Sequence, residues 1–168
     1  MLKVALTHDV DRVSKTYQYI SNPAKSLAKI DAVGFVKQLT SVFQKDSYWG
    51  FDKIIEIENS HSVKSTFFFL HESIPFEFSK ISNWPLSLGR YSLEDERVVK
   101  MIRYLDKNNW EIGLHGSYNS FKDISLLCSE KDTLELILGH EVLGIRQHYL
   151  NINESTWSLQ KEAGFKYD

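Results

Sequence analysis

The chain has 168 residues, of which 42% are hydrophobic and 25% are charged, and its formal net charge is −2. This length suits one domain with a sizeable core, and this composition is typical of an ordinary globular protein. The near-neutral charge gives no electrostatic reason to expect a nucleic acid or an anionic membrane as a partner. The sequence contains no apolar run of the roughly 20 residues that a membrane span needs and no recognisable signal peptide, so we expect a cytoplasmic protein.

Strand-like and helix-like patterns alternate along the chain. Short apolar runs bounded by polar residues predict five buried strands, over Lys3–Thr7, Ser65–Leu70, Trp110–Leu114, Val142–Arg146 and Phe165–Tyr167. Helical spacing predicts five helices, over Asp31–Gln44, Phe51–Asn59, Leu93–Lys107, Lys131–Leu138 and Glu154–Ala163. Ser92 is the predicted N-cap of the third helix, and Gly164 is predicted to end the last. The alternation predicts an α/β fold with a parallel sheet, open or closed into a barrel.

Two carboxylates stand at the end of the first strand-like run, at Asp9 and Asp11. In an extended segment the i, i+2 spacing places both side chains on the same face. Two carboxylates this close repel each other, so the site favours either a cation or a proton held at a raised pKa. This pattern predicts a metal-assisted hydrolase.

Polar clusters also follow the third and fourth strand-like runs, at His115–Asn119 and Arg146–Tyr149. Because the carboxyl ends of parallel strands meet at one rim, we expect these clusters to lie beside Asp9 and Asp11. Each residue alone is more often a turn, cap or structural residue, but the joint placement favours a functional site. His71 follows the second strand without a partner at a recognisable spacing, and its role stays open.

Five short motifs occur in a fixed order along nearly the whole chain. They are Thr7–Asp11, Ser65–Phe69, Glu111–His115, Gly144–Tyr149 and Ala163–Asp168. In this order they resemble the polysaccharide deacetylases of carbohydrate esterase family 4. The resemblance implies a distorted (β/α) barrel of the glycoside hydrolase and deacetylase type. It also implies metal-dependent removal of acyl groups, N-acetyl groups above all, from a carbohydrate substrate.

The resemblance implies a role for each matched residue. Asp9 corresponds to the catalytic base and Arg146 to the arginine that holds it. Asp11 and His115 correspond to ligands of a divalent metal, for which zinc is expected. Asn119 stands where the family has a second metal-binding histidine, and an amide oxygen binds zinc more weakly than imidazole does.

Two further matches concern proton transfer and the oxyanion. Tyr149 corresponds to the residue whose backbone N–H helps to stabilise the oxyanion. His148 replaces the family's usual proline. The family's general acid lies on a later segment than this chain contains, so His148 and His71 are the candidates for that role.

The chain ends at Asp168, where a late family motif begins. A complete barrel of this kind needs about 200 or more residues, so we expect residues 1–168 to form a single partial domain that is incomplete at its C-terminus. Two other functions stay open, a catalytically silent glycan-binding module and a metal-independent amidase for a small nitrogenous substrate. The joint presence of Asp9, Asp11, His115 and Arg146 favours an enzyme, because a binding module needs no base together with a residue that orients it.

Overall fold

The computed structural model describes residues 3–14 and 48–168 of the chain. These residues contain a four-stranded sheet in the order β1-β2-β3-β4, and every neighbouring pair is parallel. The strands are β1 (Thr7–Val10), β2 (Thr66–Leu70), β3 (Glu111–Gly116) and β4 (Ile145–Gln147). The predicted parallel sheet is therefore confirmed.

At least one α-helix follows each strand along the chain. The helices are α1 (Phe51–Ser60), α2 (Trp84–Ser87), α3 (Glu96–Lys107), α4 (Ile124–Leu138) and α5 (Thr156–Glu162). The predicted helix over Asp31–Gln44 lies outside the described residues. Among the residues that the structure describes, no helix is long and apolar enough to cross a membrane.

The first strand begins later than the predicted run Lys3–Thr7. Pairing with β2 starts only where Thr7 lies opposite Thr66, and residues 3–6 are exposed. The apolar residues before Thr7 therefore do not reflect burial in a sheet. As a result Asp9 lies inside β1, and Asp11 follows the strand directly.

The prediction of a fifth strand over Phe165–Tyr167 was wrong. Within the described residues it is reduced to one parallel bridge between Gly144 and Tyr167. Two backbone hydrogen bonds flank that bridge, from Ile145 N–H to the carbonyl of Tyr167 and from Lys166 N–H to the carbonyl of Leu143. The contact is too short to form a strand, although it does continue the parallel order of the sheet.

Two helices begin elsewhere than their patterns predict. Asp95, and not Ser92, is the N-cap of α3, because its side chain accepts the N–H of Arg97 at 2.8 Å. The helix α4 starts well before the predicted Lys131, since the Asp123 side chain caps it. The prediction that Gly164 ends the last helix is confirmed. Gly164 has a φ of +86°, the left-handed conformation in which helices commonly end.

The two faces of the sheet differ in chemistry because side chains alternate along each strand. One face packs against the helices through buried apolar residues, among them Val10, Phe67, Phe69, Leu114 and Ile145. On the other face the guanidinium of Arg146 lies 4.6 Å from the ring centre of Phe68. That ring covers Gly113, where an added Cβ would lie only 2.5 Å from it. A glycine in β3 therefore makes room for the aromatic ring that supports Arg146.

Candidate metal centre and cleft

The carboxyl ends of the four strands open into a polar cleft of about 260 Å³. Its lining residues are Asp9, Asp11, Arg12, Arg90, His115, Gln147, His148, Tyr149 and Leu150. Most of the residues that the sequence predicts for the site are thus brought together. Arg146 reaches the cleft through its contact with Asp9.

Asp9 and Arg146 form an ion pair at the edge of the cleft. Nη1 of Arg146 donates to Oδ1 of Asp9 at 2.8 Å and to Oγ1 of Thr7 at 3.0 Å. Asp9 and Thr7 stand on the same face of β1, two residues apart. The arginine therefore lies where a residue that orients a carboxylate base must lie, and the catalytic role itself stays a prediction.

The His115 ring is fixed by the neighbouring strand. Its Nδ1 lies 2.8 Å from the carbonyl oxygen of Arg146. A carbonyl oxygen only accepts hydrogen bonds, so Nδ1 carries the hydrogen, and in the neutral ring the lone pair is on Nε2. Nε2 lies 3.5 Å from Oδ1 of Asp11. The free lone pair is therefore directed at the carboxylate.

The His148 ring is oriented like the His115 ring, with Nδ1 directed away from Asp11 and Nε2 directed toward it. Its Nδ1 faces Oε2 of Glu72 at 3.6 Å, and its Nε2 lies 3.3 Å from Oδ1 of Asp11. Nη2 of Arg90 lies 3.1 Å from the same Nε2, and a guanidinium only donates. Nε2 of His148 is therefore an acceptor.

Three electron-pair donors thus converge on one point. Asp11, His115 and His148 each present one ligand atom, and these atoms all lie within 4.8 Å of one another. Ligand atoms in a tetrahedral zinc site lie roughly 3.3 Å apart, since each bond is about 2.0 Å long. The two distances from Asp11 Oδ1, 3.3 and 3.5 Å, match that spacing. The donor set fits a divalent cation such as zinc.

The carboxylate of Asp11 is held in its charged form. Burial alone would raise its pKa, but the His115 and His148 rings, when protonated, and the Arg90 guanidinium together lower the pKa to about 2. Oδ1 of Asp11 is nevertheless buried without a well-directed hydrogen bond from any described residue. The side chain as a whole is 46% exposed, so Oδ1 is the buried atom that a cation would contact.

Asn119, the predicted third ligand, lies apart from these donors. It is half-buried and immediately precedes the 3₁₀ turn Ser120–Lys122. It is not among the described residues that line the cleft. Metal binding by Asn119 stays a prediction, and His148 is the donor that faces Asp11.

Sequence reasoning missed Glu72 and Arg90. Glu72 lies just after β2, so its position at a strand end is a usable signal, which it shares with the neighbouring His71. His71 is half-buried, and that burial lowers its pKa. Arg90 lies in the long insert after β2, where no pattern connects it with Asp11, 79 residues away.

Two consecutive residues at the rim have left-handed backbone conformations. Tyr149 has a φ of 58° and Leu150 a φ of 54°. Such conformations cost roughly 1–3 kcal/mol each in residues other than glycine, and they concentrate at functional sites. The Tyr149 ring, 60% exposed, stacks on His148 with ring centres 4.4 Å apart. The strained turn therefore places an aromatic face beside the metal donors.

A buried carboxyl group lies behind β3. Glu130 of α4 is 1% exposed, and its Oε2 accepts the backbone N–H of Ser117 at 3.1 Å. Burial raises the pKa of Glu130 to about 7, although hydrogen bonds from Ser117 and Ser120 oppose the change. This group therefore titrates near neutral pH and supports the segment that follows His115.

Comparison with known proteins shows similarity in fold. No protein-family model and no curated protein matches the chain. A protein of Mycobacterium smegmatis that is assigned as a polysaccharide deacetylase superposes with a TM-score of 0.52 at 18% identity, over 96% of this chain and 48% of its own. A mutant of a Bacillus anthracis CE4 family pseudoenzyme, with restored enzymatic activity, gives 0.51 at 15% identity, over 97% and 42%.

These similarities confirm the predicted fold class. The described strands form a parallel half-barrel with outer helices, of the kind found in CE4 deacetylases. The chain spans about half the length of the solved structures that it resembles.

We predict that Glu130 makes stability depend on pH. Its folded pKa of about 7 is above the ordinary 4.5, so its contribution is complete below about pH 4.5 and is lost as the pH rises to about 7. The free energy of unfolding should fall by up to about 3 kcal/mol over that interval, and Glu130→Gln should abolish the decrease. Urea unfolding at several pH values measures this effect. The exposed-residue control Glu162→Gln should keep the decrease, and a wild-type stability that is flat across the interval would contradict the prediction.

Proposed function

We propose that the chain is a metal-dependent hydrolase that removes acyl groups, N-acetyl groups in particular, from a carbohydrate. The observation that carries this proposal is the convergence of Asp11, His115 and His148 beside the Asp9–Arg146 pair. A metal-binding triad next to an oriented carboxylate is the arrangement that metal-assisted hydrolysis requires. The fold, shared with proteins named as polysaccharide deacetylases, supports a carbohydrate as the substrate class.

The triad would hold the cation, and zinc suits its one carboxylate and two imidazoles. When bound, a divalent cation polarises the acyl oxygen and lowers the pKa of a water molecule. Glu72 faces Nδ1 of His148, and the carbonyl of Arg146 accepts from Nδ1 of His115. The hydrogen bond to the Arg146 carbonyl aims Nε2 of His115 inward, as is usual for metal-binding histidines. The 3.6 Å between His148 Nδ1 and Glu72 is an ion-pair distance, too long for a hydrogen bond.

Asp9 would act as the general base. It would take a proton from the attacking water as the new C–O bond forms. The protonated Asp9 would then give this proton to the amide nitrogen as the C–N bond breaks, so that acetate and an amine are released. Arg146 holds the Asp9 carboxylate in place at 2.8 Å. The backbone N–H of Tyr149 is proposed to stabilise the oxyanion. We assign His148 to the metal and not to proton transfer, because both of its ring nitrogens already face partners.

Aromatic side chains at the rim support a sugar as the bound group. Tyr149 is 60% exposed and Tyr118 is 37% exposed, and their rings meet edge to face at 5.9 Å. Exposed aromatic faces beside a polar cleft suit the apolar face of a pyranose ring. The two tyrosines would therefore position the sugar above the metal donors.

A catalytically silent carbohydrate-binding module is the second candidate. The observation in its favour is Arg90, whose guanidinium contacts two of the three metal donors. A protein that never binds metal would have in this side chain a cationic partner for the half-exposed Asp11 carboxylate. Such a module would bind oligosaccharides and neither bind zinc nor release acetate.

We predict that His148, and not Asn119, is the third metal ligand. His148→Ala should weaken zinc binding by at least about a hundredfold, because even outer partners of metal ligands contribute roughly 10- to 100-fold. Asn119→Ala should change the affinity by less than about threefold. Isothermal titration with zinc measures both. A larger loss of zinc affinity in Asn119→Ala than in His148→Ala would instead assign the ligand role to Asn119.

We predict that Asp9→Asn separates catalysis from metal binding. The variant should release acetate from N-acetylated sugar oligomers roughly 100- to 10,000-fold more slowly, because a general base contributes about that much. Its zinc affinity should stay within about threefold of wild type. If zinc binds but neither N- nor O-acetylated oligomers lose acetate in the wild type, the proposed hydrolase function is wrong.

A further inference from the structure

The mechanism described above does not use Arg90, although its side chain is only 6% exposed and lies among the metal donors. Every nitrogen of the guanidinium has a partner. Nε donates to the carbonyl of Leu86 at 2.7 Å, and Nη1 donates to the backbone carbonyl of Asp11 at 2.8 Å. Nη1 also lies 3.3 Å from Oδ1 of Asp11, and Nη2 lies 3.1 Å from Nε2 of His148. The guanidinium is therefore held by backbone anchors on one side and by metal donors on the other.

Nε2 of His148 cannot serve Arg90 and a metal at the same time. An imidazole nitrogen without a hydrogen has a single lone pair, which either accepts a hydrogen bond or binds a cation. The other ring nitrogen faces the Glu72 carboxylate and carries the hydrogen. Metal binding by His148 therefore requires Nη2 of Arg90 to leave.

Electrostatic repulsion also opposes the simultaneous presence of Arg90 and a metal at these donors. The Arg90 guanidinium, whose side chain is only 6% exposed, lies 3.3 Å from Oδ1 of Asp11. A divalent cation on the same oxygen would stand close to that guanidinium, and like charges repel more strongly where water screens them less. Without a metal, by contrast, Arg90 is a cationic partner of this half-exposed carboxylate.

We propose, on the basis of the function proposed above, that Arg90 is a built-in competitor of the metal. In the metal-free protein its guanidinium occupies the donors of Asp11 and His148. When the cation binds, Nη2 is released from His148, while the contacts of Nε with Leu86 and of Nη1 with the Asp11 backbone keep the side chain tethered. By linkage, each cation lowers the affinity of the site for the other.

The test compares zinc affinity in the wild type, Arg90→Met and a control, Arg103→Met, by isothermal titration. Methionine keeps an unbranched apolar side chain and removes every donor and the charge. Arg90→Met should bind zinc at least about tenfold more tightly, within the range usual for coupled sites. Arg103 is exposed on α3 and donates to Ile137 of α4, so its substitution should change the affinity by less than about twofold.

The outcomes separate the inference from the function on which it rests. Equal zinc affinity in the wild type and Arg90→Met, or weaker binding in Arg90→Met, would overturn the role of Arg90 and leave the metal-dependent hydrolase intact. Equal tightening in Arg103→Met would also overturn it, because the effect would then be one of general charge. No zinc binding in any of the three proteins would overturn both.

A measurement on the wild type covers the case in which Arg90→Met does not fold. Nitrogen-15 spectra of the histidine rings and arginine side chains, recorded during a zinc titration, follow both groups directly. The His148 Nε2 and Arg90 Nη2 signals should shift together with one midpoint. A shift of His148 Nε2 with unchanged Arg90 signals would overturn the proposal.

Discussion

The hydrogen bond that His115 Nδ1 donates to the carbonyl oxygen of Arg146, at 2.8 Å, joins the ends of β3 and β4. The two residues are direct partners in the parallel register, so the strand pairing itself brings them together. The backbone of Arg146 thereby fixes which nitrogen of His115 faces Asp11. Its side chain meanwhile holds Asp9. A single residue thus positions a metal donor and the proposed base, and a shift in the β3–β4 register would displace both.

Asp11 lies among several charged and titratable side chains. Its carboxylate faces two imidazoles and the guanidinium of Arg90, and Glu72, with a side chain only 1% exposed, stands behind His148. Because the Asp11 side chain is 46% exposed, water solvates part of its charge. Its Oδ1 is buried, and a positive charge beside that atom is favourable. In our account Arg90 provides that charge until a metal takes its place, which connects the stability of the metal-free protein with its metal affinity.

Much of this arrangement could be predicted from the sequence. The i, i+2 spacing of Asp9 and Asp11 and the matched strand ends depend only on local alternation and parallel topology. Strand limits were less accurate, because the apolar residues before Thr7 are exposed and lie outside β1. The position of Arg90 in the site could not be predicted from the sequence. Arg90 and His148 are 58 positions apart, and Arg90 lies in an insert without a regular pattern. His148 was found, but its role depended on ring orientation, which sequence does not encode locally.

A crystal structure of the protein grown with zinc, with anomalous scattering measured at the zinc edge, tests the central claim most directly. Our account predicts one peak about 2.0–2.2 Å from Oδ1 or Oδ2 of Asp11 and from Nε2 of both His115 and His148. It also predicts that Nη2 of Arg90 has moved out of hydrogen-bond distance of His148. A peak that includes Asn119 while Arg90 still contacts His148, or no peak at all in this cleft, would contradict the account.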